Sequence, residues 1–462
     1  MKLRKWIAIA LAILIAALAG AGVHFRPDRS IRVATGYVAH NICSKTFVSG
    51  FDPQTVFAEV SDRAGIRRLR HVLRFTLDQS AHTVDASTLG LFRSRAAFHD
   101  GFGCVDQHGA QQPYLLKSDV EALKGKTLPA LPEIAGPAVV EPSDPSLKAA
   151  LDHAFEEPTV PPFRRTKAVV VVHDGKVIAE RYASGIGVDT PLLGFSMTKS
   201  VVNALIGILT QQGLVTPSMP APIPEWRGAG DPRREIEVEH LMRMTSGLDL
   251  DETNSGFDPS SRMFLQDDTA AYAVNTKMIA PIGTRWAYSS PTTQILARII
   301  RDAVGGPEQT LAFAWRELFN PLGMRSVTLE FDGSGTLQGS TYMLASARDW
   351  AKFGLLYLND GVVGGKRILH PDWVDFCAAA TLHTDYAAGF WTNRSEHPNA
   401  KGRVRLGIPR DAFFASGDLG QRIFIIPSQR LVVVRLGDSV DPTGDIRGAA
   451  RLVKEVIAAM QP

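Results

Sequence analysis

The sequence predicts an α+β fold whose antiparallel sheet takes strands from both ends of a long helical region. Near the start of that region, residues 167–172 and 176–182 are rich in strand-forming residues and flank Asp174-Gly175, a strong two-residue hairpin turn. Near its end, residues 422–426 and 431–435 form a second pair of apolar, strand-like segments. Two strand pairs that enclose a helical region indicate one sheet built from both ends of the sequence.

Helical patterns surround and separate these strand pairs. The apolar spacing after Ser196 predicts a largely buried helix that Gly213 ends, and a last amphipathic helix is expected over about residues 445–460. A helical insertion is expected over about residues 215–380. The remaining predicted helices are, in chain order, residues 146–157, 238–243, 268–275, 291–303, 308–318, 345–358 and 371–379.

Composition and charge limit the class of protein. The chain has 462 residues, of which 45% are hydrophobic, so it contains enough apolar material for a globular core. This length corresponds to about two or three domain units. Lys and Arg number 50 against 47 Asp and Glu, a formal net charge of +3. No Lys/Arg cluster points to nucleic acid, and we expect no such partner.

The N-terminus has the pattern of an exported protein. Basic residues within Met1–Lys5 precede an apolar run from Trp6 to Val23. The small residues Ala17-Leu18-Ala19 suit a cleavage site, whereas the length of the run is at the lower limit for a membrane span. Residues 1–24 are therefore interpreted as a signal peptide or a membrane anchor. In both cases the body is expected in the periplasm, or on the outer side of the cytoplasmic membrane that an uncleaved segment would contact.

The residues that follow this N-terminal segment are interpreted as a structural unit. Residues 25–128 contain short strand-like segments and turns without recognisable chemistry, and we name them the lead region. The prolines from Pro129 to Pro145 predict an extended linker at residues 129–145. Residues 146–462 then form the largest predicted domain, which contains the candidates for chemistry described below and is named the catalytic region.

The cysteines suggest one disulfide and no metal site. Cys43 and Cys104 both lie in the lead region and are the predicted pair in an oxidising compartment. Cys377 lies on a helical pattern and is expected to be a buried free thiol. No Cys/His spacing resembles a metal site, so neither a metal nor another cofactor is expected.

Ser196-Met197-Thr198-Lys199 is the first candidate for chemistry. If a helix begins at Ser196, both side chains lie on one face of its first turn, and the amine can accept the hydroxyl proton. A helix-capping serine with a solvated lysine explains the same pattern more simply. Two later segments favour the catalytic interpretation.

The first later segment contains Tyr288 with Ser290 as a hydrogen-bonding neighbour. A phenol has a pKa of about 10, which is too high for a base near neutrality unless a cation such as Lys199 stabilises the phenolate. An ordinary half-buried tyrosine is the alternative.

The second segment is Ser416-Gly417-Asp418, at a glycine-containing strand edge. Such an edge allows a substrate carbonyl to approach the backbone N–H of Asp418, paired with that of Ser196. A Gly-rich turn between strands is the alternative.

These three segments together resemble the serine hydrolases related to class C β-lactamases. That family includes penicillin-binding DD-peptidases, family VIII esterases and 6-aminohexanoate-dimer hydrolases, and its motifs are Ser-x-x-Lys, Tyr-x-Asn and Lys-Thr-Gly or a variant. Residues 240–248 and 346–354 are similar to further stretches of the family. The resemblance covers about residues 145–460 and implies a β-lactamase/transpeptidase-like fold.

This sequence departs from the family pattern at two motifs. Ser290 stands where the family has Asn, and Ala415 stands where it has the cation of Lys-Thr-Gly. The literal Tyr-x-Asn at residues 357–359 is explained more simply as a helix end. In the family the cation helps to receive a substrate carboxylate, so its absence favours small esters or amides over penicillins.

The resemblance implies covalent catalysis in which Ser196 attacks the carbonyl while Tyr288 and Lys199 relay its proton. The hypothesis is an exported serine hydrolase acting on small amides or esters. The alternatives are a β-lactamase or DD-peptidase, and a non-catalytic sensing module.

Trp391 is a candidate for the wall of the acyl pocket, with a core aromatic as the alternative. The acidic residues at 249, 251 and 252 are interpreted as a solvated loop, with a lip of the cleft as the alternative.

Overall fold

The computed structural model describes Trp6 and residues 26–109, 112–126 and 128–461. The predicted signal peptide or anchor at residues 1–24 lies, apart from Trp6, outside the described residues. Within the described ranges, no helix combines the length and apolarity needed to cross a membrane.

The lead region is a small α+β unit with its own core. Its sheet is a four-stranded antiparallel meander in the order β1-β2-β3-β4, and its first helix packs on this sheet. Pro at the first position starts both helices, and Asp52 caps the second by accepting from the Thr55 amide. Its elements are α1 (Pro27–Cys43), α2 (Pro53–Ser61), β1 (Leu73–Asp78), β2 (Thr83–Thr88), β3 (Phe92–His99) and β4 (Gly103–Gln107).

A disulfide joins Cys43, the last residue of α1, to Cys104 in β4, across 61 positions of sequence. The bond links the helix to the far strand of the sheet it covers. Cys377 is a buried free cysteine in the catalytic region.

The lead region is bound to the catalytic region through a buried carboxylate. Glu330 is 0% exposed, and its oxygens lie 2.7 Å from His40 Nε2 and accept hydrogen bonds from the Ser44 hydroxyl (2.8 Å) and the Cys104 amide (2.9 Å). A charged group without water needs such partners. The three partners belong to the lead region, so docking of the two regions supplies the hydrogen-bond partners that the buried Glu330 carboxylate needs.

Residues 129–145 follow the short helix α3 (Val120–Lys124) and contain no regular secondary structure before Pro145. They are packed along the catalytic region rather than spanning free solvent. The Leu131 amide donates to the Pro321 carbonyl at 2.8 Å. Arg348 donates to the carbonyls of Gly136 (2.6 Å) and Ala138 (2.7 Å).

The catalytic region contains the remaining elements. Its strands are β5 (Thr166–His173), β6 (Lys176–Tyr182), β7 (Leu192–Leu193), β8 (Thr328–Leu329), β9 (Met343–Ala345), β10 (Val362–Val363), β11 (Lys366–Arg367), β12 (Trp391–Thr392), β13 (Phe413–Gly417), β14 (Gln421–Ile426) and β15 (Leu431–Gly437). Its helices are α4 (Pro145–Phe155), α5 (Thr198–Gln211), α6 (Val238–Met242), α7 (Pro259–Met263), α8 (Thr269–Val274), α9 (Ser290–Val304), α10 (Pro307–Ala314), α11 (Asn320–Leu322), α12 (Ala347–Leu358), α13 (Trp373–Ala378), α14 (Pro398–Arg405) and α15 (Ile446–Ala459).

The central sheet is antiparallel, in the order β12-β13-β14-β15-β5-β6. The last long strand, β15, pairs with the first, β5, with Val433 opposite Val171. The predicted α+β fold with a sheet drawn from both ends of the catalytic region is therefore confirmed.

Helices cover both faces of this sheet. Val170 and Val172 point into a core shared with α5 and α12, and Val169 and Val171 point into a second core shared with α4 and α15. This alternation follows the two-residue period of a strand. Because both faces of the sheet are buried, the sequence of β5 is a continuous apolar run.

The disulfide can be tested by counting thiols. Denatured, unreduced protein should show one reactive thiol, that of Cys377, and three after reduction. Replacing Cys43 and Cys104 by Ser should lower the free energy of unfolding by about 2–5 kcal/mol, because the unfolded chain loses a long-loop constraint. Three reactive thiols without reductant would contradict the bond.

Candidate active site

The nucleophile candidate Ser196 lies in a tight 3₁₀ turn, Phe195–Met197, so α5 begins two residues later than the pattern predicted. Phe195 has a φ of +48°, a left-handed conformation that is strained for a side chain of this size. Its ring is 2% exposed and packs with Leu193, Tyr342 and Leu344, which holds the strained backbone in place. The turn presents the Ser196 side chain to an open cleft.

Lys199 is 4% exposed, and its amine has three acceptors. Nζ donates to Ser196 Oγ (3.0 Å), to Ser290 Oγ (3.0 Å) and to the carbonyl of Ser340 (2.8 Å). Burial lowers the pKa of Lys199 to about 8, against an opposing effect of Glu252. Near this pH a large fraction of the amine is neutral and can accept the Ser196 proton, since the hydroxyl can reverse its role from acceptor to donor.

Tyr288 lies beside this pair, and its ring centroid is 4.9 Å from Lys199 Nζ. Burial, followed by the charge of Glu252, raises its pKa well above 10, against the effect of a hydrogen bond with Ser196. The expectation that Lys199 would stabilise a phenolate is therefore not met, because desolvation and a nearby carboxylate dominate. A protonated Tyr288 hydroxyl is suited to donating a proton, and Lys199 is the better base.

The loop that carries Tyr288 is braced by residues 240–248. The Met244 carbonyl accepts from the Ala287 amide at 3.1 Å. Gly247 has a φ of +77°, and a Cβ on it would overlap the Ala280 carbonyl oxygen. A glycine is thus required where the two segments meet.

Glu252 belongs to the site, although its acidic neighbourhood was interpreted as a solvated loop. Its amide donates to the Tyr288 carbonyl (3.0 Å), and its Oε2 accepts from the Ser290 amide (2.8 Å) and the Ser260 hydroxyl (3.2 Å). The side chain thus ties the Tyr288 loop to the start of α9 and places a negative charge in the cleft wall. Asp251, in contrast, pairs with Arg285 (2.8 Å).

Strand β13 brings the third motif to the nucleophile turn. A Cβ on Gly417 would overlap the carbonyl oxygen of Gly194, so the strand can approach this closely only as glycine. The Gly417 carbonyl accepts from Nη1 of buried Arg422 at 2.9 Å, which fixes the peptide that carries the Asp418 N–H. Ser416 and Asp418 line the cleft with Ser196.

Aromatic side chains form another part of the cleft wall. The ring of Trp391 stacks on Tyr288 with a centroid distance of 5.8 Å, and both residues line the cleft. The buried Tyr386 supports them and meets Tyr288 edge-on at 5.7 Å. The cleft has a volume of about 890 Å³. Tyr357, of the literal Tyr-x-Asn, lies in α12 and donates from the core to Asn203 at 2.6 Å.

The structure thus brings together the predicted Ser196, Lys199, Tyr288, Ser290, Ser416, Gly417, Asp418 and Trp391. Sequence reasoning missed the Ser340 carbonyl and undervalued Glu252. A backbone acceptor leaves no signal in residue identity. Among the described residues, no group of three or more His, Cys, Asp or Glu side chains is placed to hold a metal.

Comparison with known proteins identifies the family. The family model described as Beta-lactamase matches residues 163–458, more than half of the chain. The chain belongs to the beta-lactamase family. It is a serine hydrolase of that family by its relatives and by the arrangement of Ser196 and Lys199.

This beta-lactamase-family chain is similar to one curated hydrolase in sequence and to two solved structures in fold. The chain is 25% identical over 308 residues to the 6-aminohexanoate-dimer hydrolase of Paenarthrobacter ureafaciens, covering 60% of this chain and 74% of that protein. The crystal structure of a family VIII carboxylesterase has a TM-score of 0.55 at 16% identity, over 71% of this chain and 100% of that one. A penicillin-binding protein homologue from Caulobacter crescentus has a TM-score of 0.54 at 19% identity, also over 71% and 100%. These two structures support the fold alone.

The pH dependence of catalysis tests Lys199 as the base. The rate should rise with pH around a midpoint near 8, as the amine becomes neutral. Glu252→Gln should move this midpoint to lower pH, because the carboxylate raises the pKa of Lys199. The measurement is kcat/KM for an activated ester from about pH 5 to 10.

The control for this experiment is Asp249→Asn, which removes a charge of the same acidic segment that does not line the cleft. Its profile should match that of the unmodified protein. A Glu252→Gln midpoint that stays in place or rises would contradict the assignment of Lys199.

Proposed function

We propose that this protein is an exported hydrolase of small esters or amides that forms an acyl-enzyme on Ser196. The observation that carries the proposal is the buried Lys199 amine, which lies 3.0 Å from the Ser196 hydroxyl and has a lowered pKa. A solvated lysine beside a capping serine would have neither property. The same contacts argue against a non-catalytic sensing module.

The geometry supports a two-step reaction. Lys199 Nζ accepts the Ser196 proton as Oγ attacks the substrate carbonyl. The amides of Ser196 and Asp418 stabilise the oxyanion. The Tyr288 hydroxyl donates its proton to the leaving group and is reprotonated by the Lys199 ammonium. Water then attacks the acyl carbonyl while Lys199 Nζ accepts one of its protons, and the bond from the acyl carbon to Ser196 Oγ breaks as the Lys199 ammonium returns that proton to Oγ, which releases the acid.

The third motif favours esters and small amides over penicillins. Ala415 is 1% exposed and packs in the core next to α5, so this position supplies no cation to a substrate carboxylate. The name of one sequence relative supports the same choice, since that relative is a 6-aminohexanoate-dimer hydrolase.

Two observations support export. The basic and apolar N-terminal pattern of residues 1–24 is typical of a signal peptide or anchor. The Cys43–Cys104 disulfide suits an oxidising compartment, because cytosolic thiols are kept reduced. We therefore propose that the catalytic region lies in the periplasm or on the outer side of the cytoplasmic membrane.

Turnover and active-site labelling test the proposed function. The protein should hydrolyse p-nitrophenyl butyrate and react with a fluorescent fluorophosphonate. Ser196→Ala should abolish labelling and lower turnover by at least about 1,000-fold, since it removes the nucleophile. Ser428→Ala, at an exposed turn, is the matched control and should keep full activity.

A fluorescent penicillin distinguishes the competing function. No stable label and no turnover of penicillin are expected, because Ala415 provides no cation. Covalent penicillin labelling that Ser196→Ala removes would instead favour a penicillin-binding protein or β-lactamase. Absence of both ester turnover and fluorophosphonate labelling in the unmodified protein would contradict a hydrolase.

A further inference from the structure

The lead region forms one wall of the cleft that contains the nucleophile. Tyr37 of α1 and Arg63, two residues after α2, line the same cavity as Ser196 and Tyr288. Tyr37 also packs against the apolar cluster that contains Phe195. The lead region was interpreted as a structural unit without chemistry, yet it contributes a cation to this wall.

Arg63 is paired with the residue that follows the third motif. Its Nη2 lies 2.5 Å from Asp418 Oδ2, and its guanidinium stacks on Tyr37 at 4.5 Å from the ring centroid. The other carboxylate oxygen, Oδ1, accepts from the Leu419 amide at 2.9 Å. Both oxygens of Asp418 are therefore engaged, one of them by a residue of the other region.

The position of Asp418 makes its charge important. Its backbone N–H is the proposed second donor to the oxyanion, so the same residue carries both an oxyanion donor and a negative charge, and it lines the cleft with Ser196. The Asp418 side chain is 41% exposed, so water screens part of this repulsion, but an unpaired carboxylate would still oppose the negative charge that develops on the oxyanion. The charge of Asp418 acts electrostatically on the site, since it is one of the groups that raise the pKa of Tyr288.

The segment that carries Arg63 is itself fixed to the catalytic region. The preceding residue, Asp62, pairs with Arg165 at 2.6 Å. Lys45 of the lead region pairs with Asp438 at 2.8 Å, close in sequence to the end of β15. These ion pairs hold the guanidinium at a defined place in the cleft wall.

We propose that Arg63 is a positioning residue that neutralises the Asp418 carboxylate and so allows the backbone N–H of Asp418 to stabilise the oxyanion. The lead region is then a working part of the active site. This inference rests on the proposed acyl-enzyme mechanism.

A double-mutant cycle tests the proposal. Arg63→Gln should lower kcat/KM for p-nitrophenyl butyrate by about 10-fold or more, because it exposes the oxyanion to an unpaired carboxylate. Asp418→Asn removes that carboxylate, so adding Arg63→Gln to it should change kcat/KM by less than about twofold. Arg63→Lys keeps the charge and should recover part of the activity lost in Arg63→Gln.

The matched control is Arg67→Gln, an exposed arginine of the same segment that does not line the cleft. It should leave kcat/KM unchanged. Thermal unfolding of each variant, monitored by circular dichroism, distinguishes lost folding from lost catalysis.

Two results would overturn the inference. One is an Arg63→Gln variant as active as the unmodified protein. The other is an equal loss on adding Arg63→Gln to the unmodified protein and to Asp418→Asn, which would show that the arginine acts independently of the carboxylate. Failure of the proposed function looks different, since the unmodified protein would then show neither turnover nor labelling.

Discussion

The buried amine of Lys199 is the interaction on which the site depends. Its three acceptors come from separate segments: the turn of Ser196, the start of α9 at Ser290, and the carbonyl of Ser340. Together the three acceptors fix the position of the amine, while burial lowers its affinity for a proton. A change in pKa from 10.5 to about 8 disfavours the charged form by roughly 3 kcal/mol. Burial of Lys199 therefore costs electrostatic free energy, and it provides Ser196 with a base near neutral pH.

The fold maintains this arrangement from two directions. In the catalytic region, the sheet brings β13 against the nucleophile turn, and Gly417 permits the contact with Gly194. In the lead region, Tyr37 packs next to Phe195, and Arg63 pairs with Asp418. The lead region is thus part of the cleft, although its sequence carries no catalytic motif.

Much of the fold was readable from sequence because its signals are local. The Asp174-Gly175 turn and the valine run of β5 define the first hairpin, and the Ser196–Lys199 spacing lies within a single turn. Distant contacts were readable only where a strand pattern, a cysteine pair or a family motif marked them, and other distant contacts were not. The Arg63–Asp418 pair joins two regions, and the pKa of Tyr288 depends on burial and on Glu252. Neither follows from residue types and spacing.

The most direct test of Lys199 as the base for Ser196 is an NMR titration of Lys199 itself. Protein labelled with ¹³C at the lysine Cε allows the Lys199 resonance to be assigned by its loss in Lys199→Arg. The account predicts a titration midpoint near pH 8 in the folded protein, well below the ordinary lysine value of 10.5. A midpoint at about 10 or above would contradict it, because the amine would then be a stable cation rather than the base for Ser196.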